Sequence, residues 1–147
     1  MIARPHPAAE RKVEQTGNAI ESAANRCFVC GPGNPIGLKL MFRLDDEVCR
    51  AEFTPQPEHM GYDGVTHGGI VFSLLDDVMA NWLWLRGERC FTARAEIRYR
   101  APLPIGTAVR IEGRMTRRKG RLVQLAGQVI RADSGELIAE ASGSFMT

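Results

Sequence analysis

The stretch His67-Gly68-Gly69-Ile70-Val71-Phe72-Ser73-Leu74-Leu75-Asp76-Asp77-Val78-Met79-Ala80-Asn81-Trp82-Leu83-Trp84-Leu85 decides the fold. From Ile70 to Leu85 it has no Gly or Pro and is apolar nearly all round, which predicts one buried helix. The sequence on either side changes period. Before it, Leu38, Leu40, Phe42 and Leu44 alternate with polar residues, and Cys49, Ala51 and Phe53 do the same after the polar turn Asp45-Asp46-Glu47. That predicts a hairpin of half-buried strands, ended by Pro55 and Pro57. After Gly87, Ala95, Ile97 and Tyr99 alternate with Arg94, Glu96, Arg98 and Arg100. Val109, Ile111 and Met115 alternate with Arg110, Glu112 and Arg114. Further strands are expected over Val123 to Val129 and Leu137 to Phe145, joined by turns at Arg118-Lys119-Gly120-Arg121 and Asp133-Ser134-Gly135. Strands joined by tight turns favour an antiparallel sheet with the single helix packed on its face, an α+β class.

With 147 residues, 44% apolar and 24% charged, the composition is that of one globular domain. Nineteen Lys and Arg against seventeen Asp and Glu give a formal charge of +2, which argues against nucleic acid as the main partner. No apolar run approaches the ~20 residues of a membrane span or resembles a signal peptide, so no membrane partner and a cytoplasmic location are expected. Residues 1–25 hold helix formers interrupted by Gly17 and Asn18 and read as a tail or short helix; residues 26–147 read as the domain. Cys27-Phe28-Val29-Cys30 is a lone Cys-x-x-Cys without the second pair that structural zinc sites use, so a turn is expected there and no metal.

Within the helix, Ser73, Asp77 and Asn81 form a polar stripe that suits a solvent-facing or interface edge. Asp76 projects about 100° away from Asp77, towards Phe72, Met79, Ala80 and Leu83. A carboxylate against apolar side chains is costly to bury unpaired and tends towards a raised pKa, which suits a general base. A local cap or pair is the alternative. Gly68 and Gly69 at the helix start leave backbone N–H groups free to face a carbonyl gaining negative charge; alternatively they permit close packing, with His67 as a helix cap. Asp76 lies two turns further on, roughly 10 to 14 Å along the axis, so only a second copy of the chain could join the two features in one site.

Cys27-x-x-Cys30-Gly31, Asn34-Pro35-x-Gly37-Leu38, Gly64-x-x-His67-Gly68-Gly69, Leu74-Leu75-Asp76, Ile97-x-Tyr99-x-x-Pro102 and Gly106 together resemble the hotdog-fold thioesterases, in particular the phenylacetyl-CoA-thioesterase-like branch, over about residues 27 to 147. The resemblance implies an antiparallel sheet of five to six strands wrapped around one long helix. It also implies a homodimer, with dimer or dimer of dimers left open, whose active sites sit between subunits. It implies hydrolysis of acyl-CoA thioesters with no cofactor beyond the coenzyme A of the substrate. Asp76 would be general base or nucleophile, the Gly69 N–H beside Gly68 would polarise the carbonyl, His67 would position that loop or the carbonyl, and Thr92 would orient the nucleophile or water. Arg118, Lys119, Gly120 and Arg121 would hold coenzyme A phosphates, or form a solvated turn; Asp77 is assigned to the substrate side as well. Where relatives often carry Asn or Gln six residues before the His, this chain has Gly61. That departure motivates a second reading, an acyl-CoA-binding protein without catalysis. Hydration or dehydration of enoyl thioesters is a third, disfavoured because its usual Asp/His arrangement is not found.

Overall fold

The computed structural model describes residues 23–147, so the expectation for the N-terminal tail falls almost wholly outside the described residues. Strands β1 (Arg43–Asp45), β2 (Val48–Phe53), β3 (Phe91–Tyr99), β4 (Val109–Lys119), β5 (Leu122–Arg131) and β6 (Leu137–Met146) flank one long helix, α1 (Gly68–Trp84). They form a single antiparallel six-stranded sheet in the order β1-β2-β4-β5-β6-β3. Helix α1 packs on it, chiefly against β4 and β5. This is the α+β hotdog architecture that the sequence resemblance implied.

The core follows from the two periodicities. On α1, Val71, Leu74, Leu75, Val78, Met79, Trp82 and Leu83 are buried, and they meet Ile111, Val123, Leu125, Val129 and Phe145 from the sheet. Close approach of helix to sheet depends on Gly113, where an added Cβ would lie 2.9 Å from the Val78 carbonyl oxygen. The meander is closed by turns at Gly120 (φ 59°) and Gly135 (φ 75°), a conformation that glycine adopts without steric penalty.

One expected strand is shorter than its alternation implies. Leu40 and Phe42 point into the core as their alternation implies, but strand pairing begins only at Arg43. Leu38 and Leu40 instead donate their N–H groups to the carbonyls of Phe28 (2.8 Å) and Val29 (2.9 Å), with Lys39 between them at φ 59°. The backbone of this segment is thus satisfied by the Cys27–Cys30 turn rather than by a neighbouring strand. Met115 stands opposite buried Leu125, in phase with Ile111, yet is 39% exposed, and the β4–β5 register slips immediately after it, between Met115 and Arg117.

Candidate functional site

The loop before α1 is pinned by main-chain hydrogen bonds from Thr66 N to Leu103 O (2.8 Å) and from His67 N to His59 O (2.8 Å). His67 is the helix N-cap: its ring Nδ1 accepts from the Gly69 N–H at 2.8 Å. That bond assigns the neutral ring's proton to Nε2, because a backbone N–H can only donate. Both sequence alternatives for this motif are therefore partly realised. His67 caps the helix, and the Gly69 N–H, expected to face a substrate carbonyl, is engaged by the ring of the same loop. An added Cβ at Gly69 would lie 3.0 Å from that Nδ1, so the ring would have to give by a few tenths of an ångström to admit a larger residue. Gly61 lies over His67, where a Cβ would approach its Cα at 3.3 Å.

Asp76 is half-buried and its Oδ1 accepts a 2.8 Å hydrogen bond from Thr92 Oγ1 at the start of β3. An ionised carboxylate only accepts, so the hydroxyl must donate, and the bond holds one carboxylate oxygen while leaving the other for a further donor. Thr92, which the resemblance places so as to orient the nucleophile or water, meets Asp76 through this bond from sixteen residues away in sequence. At the other end of the same strand, Tyr99 Oη donates to Gly68 O at 2.8 Å. Strand β3 thus touches both halves of the candidate site. Beside Tyr99 and Gly68 lies a cleft of about 310 Å³, also lined by Thr66, Val71, Leu103 and Ile138. Thr66 Oγ1 faces no hydrogen-bond partner there among the described residues.

The basic turn is joined to Asp76 through the sheet. Arg118 pairs with Val123, Val123 with Phe145 and Phe145 with Thr92 across β4, β5, β6 and β3. Three strand spacings place the turn roughly 14 Å from Thr92. Its cations are not all unengaged. Arg118 makes a two-pronged ion pair with Glu88 (2.6 and 2.8 Å), and Arg121 Nε donates to the Thr147 carbonyl at 2.7 Å. Arg118 holds the Glu88 carboxyl below its ordinary pKa by direct hydrogen bonding.

Asp77 is placed differently from the substrate-side expectation. One residue further round the helix, its carboxylate faces Cys27 Sγ, at 3.7 Å from Oδ1, and accepts from Asn81 Nδ2 at 3.0 Å. Burial, and then the charge of Cys27, push its carboxyl up to about 8. The polar stripe of Ser73, Asp77 and Asn81 is at this point covered by the N-terminal turn instead of facing solvent. Trp82 likewise is a core anchor, with its Nε1 donating to Glu47 O at 3.0 Å and Arg86 stacked on its ring. Tyr99, Glu88 and the Cys27 contact to Asp77 escape sequence reading because each partner lies thirty or more residues away.

Among the described residues no helix is long and apolar enough to cross a membrane. The chain is 32% identical over 95 residues to acyl-coenzyme A thioesterase THEM4 of Xenopus laevis, an alignment covering 64% of this chain and 42% of that protein. It therefore spans less than half the length of that relative. A crystal structure of a thioesterase superfamily protein superposes with a TM-score of 0.77 at 27% identity, covering 84% of this chain and 61% of the other. A variant of the phenylacetic acid degradation protein PaaI from Thermus thermophilus superposes with a TM-score of 0.67 at 22% identity, covering 74% and 92%, and shares the fold. The model of the thioesterase superfamily matches residues 63–138, just over half of the chain and the span that holds His67, Gly68, Gly69, Asp76, Thr92 and Arg118, so the chain belongs to the thioesterase superfamily.

Proposed function

We propose that this chain hydrolyses acyl-CoA thioesters to a free acid and coenzyme A, in sites shared between two copies. The observation that carries the reading is the 2.8 Å hydrogen bond from Thr92 to Asp76, which presents a half-buried carboxylate with one oxygen free at the open edge of the sheet. The family match and the name of the Xenopus laevis relative support the substrate class.

The need for two copies follows from geometry. Helix rise separates His67 from Asp76 by roughly 13 Å, too far for one carbonyl to meet both. Among the described residues, strand β3 is an edge with one side unpaired, with Phe91 69% and Tyr99 53% exposed, and such an edge invites pairing. Antiparallel pairing of β3 with its symmetry copy about a two-fold axis near Ala95 and Glu96 sets Thr92 opposite the partner's Tyr99. Thr92 carries Asp76 and Tyr99 carries Gly68, so the same pairing brings the carboxylate to the partner's helix start. There the partner's His67 Nε2–H polarises the thioester carbonyl, with the positive end of the helix dipole behind it. Asp76 takes a proton from water as the oxygen attacks the carbonyl carbon; the C–S bond breaks, and the thiolate of coenzyme A takes up the proton. The basic turn, with Lys119 foremost, lies at the ends of the central strands β4 and β5, three strands from Thr92, and takes the phosphates.

A mixing experiment tests this directly. Asp76→Asn and His67→Ala proteins are each inactive in thiol release from a panel of acyl- and aryl-CoAs, while co-refolded mixtures recover activity, because one of the two sites in a mixed dimer is intact. Full activity of Asp76→Asn, or a monomer in sedimentation, overturns the reading. Binding of CoA esters without any thiol release would favour the non-catalytic alternative, for which the observation is Gly61 in place of an amide.

A further inference from the structure

The Cys27-Phe28-Val29-Cys30-Gly31 turn lies outside the family-matched span and takes no part in the proposed chemistry. It nevertheless has a built interior. The sulfur atoms of Cys27 and Cys30 and a carboxylate oxygen of Asp77 all lie within 4.8 Å of one another. Cys27 Sγ is 3.7 and 3.9 Å from the two Asp77 oxygens. The turn is tightly wound: the Gly31 N–H donates to Cys27 O at 2.9 Å, and an added Cβ at Gly31 would lie 2.3 Å from Cys27 N. Below, Asn81 Nδ2 bridges the Asp77 main-chain carbonyl (2.9 Å) and Oδ2 (3.0 Å), fixing the carboxylate with Oδ1 towards the sulfur.

What surrounds Asp77 is two thiols, an amide and the neighbouring carboxylate of Asp76. Three groups that ionise to anions thus converge in a half-buried corner with a positioned donor behind one of them. Ordinary zinc–sulfur and zinc–oxygen bond lengths at a tetrahedral centre separate the ligand atoms by roughly 3.5 to 3.8 Å, and the 3.7 Å from Cys27 to Asp77 already matches. Two thiolates with one carboxylate select zinc over magnesium or calcium, which prefer all-oxygen ligands.

We propose that Cys27, Cys30 and Asp77 bind a structural zinc ion that ties the N-terminal turn to the middle of α1, with Asn81 orienting the carboxylate and water in the fourth position. The sequence lacks a second Cys pair; the fold supplies the third ligand from fifty residues away.

The test uses the full chain purified under reducing conditions without chelator from zinc-supplemented medium. About one zinc per chain is expected by elemental analysis. After exchange, cobalt(II) should give sulfur-to-metal charge-transfer absorption with tetrahedral d–d bands. Both signals are expected to vanish in the Cys27→Ser, Cys30→Ser double variant and to weaken in Asp77→Asn, and chelation should lower Tm reversibly. The wild-type measurement decides the matter even where a variant fails to fold. Reduced wild-type protein that binds neither zinc nor cobalt, metal that persists in the double variant, or a Cys27–Cys30 disulfide whose reduction gives no metal binding would each overturn the proposal. None of these readouts requires thioester turnover, so they stand or fall apart from the proposed activity.

Discussion

Removal of the Thr92 hydroxyl is the sharpest probe of how Asp76 is presented. Thr92→Val keeps the shape and β-branching of an exposed strand residue, so little effect on folding is expected. It removes one short, charge-assisted hydrogen bond to Oδ1. Such bonds contribute about 1.5 to 3 kcal/mol. With Thr92 exposed and water able to replace the hydroxyl in part, about 1 to 2 kcal/mol is a reasonable share. If the bond positions the base in the transition state, that share corresponds to about a 5- to 30-fold loss in kcat. The assay is steady-state thiol release across acyl-CoA concentrations, with Tm measured alongside. The loss should fall on kcat with KM little changed, and Thr92→Ser, which restores a donor, should recover most of it. An unchanged kcat in Thr92→Val, or an equal loss in Thr92→Ser, would refute the positioning argument.

Glu88→Gln releases Arg118 from its two-pronged pair; if the turn binds coenzyme A phosphates, calorimetry should show tighter CoA binding, by at most several-fold since exposed pairs are weak. The same pair gives a pH signature. The folded carboxyl of Glu88 is held below its ordinary value, so its stabilisation is present above about pH 4.3 and is lost as pH falls through the lower folded pKa. The small Tm advantage of wild type over Glu88→Gln should therefore disappear in acid. Gly69→Ala displaces the His67 ring; the lost cap and the better helix propensity roughly offset within about 1 kcal/mol, so activity should fall while Tm holds. Gly113→Ala forces a methyl group against the Val78 carbonyl and should cost about 1 to 3 kcal/mol in urea unfolding.

Much of this protein is legible in its sequence, for a physical reason that differs from element to element. The run Ile70 to Leu85, free of Gly and Pro and apolar nearly all round, is buried as a helix, and the period-two stretches after Gly87 and Gly106 form strands with one covered face. Helical geometry alone sends Asp76 and Asp77 to different faces, and Thr92, singled out by the resemblance to orient the nucleophile or water, lies within hydrogen-bond reach of Asp76. Which neighbour each face meets is set by packing between segments far apart in the chain. That is why Leu38 to Phe42 alternates yet pairs with a turn instead of a strand, and why Asp77 lies beneath Cys27. It is also why Arg118 is bound to Glu88, thirty residues away. Local periodicity determined which residues are buried and in what elements; only the tertiary contacts decided which of the polar groups face one another, because those distances depend on how the helix is seated on the sheet.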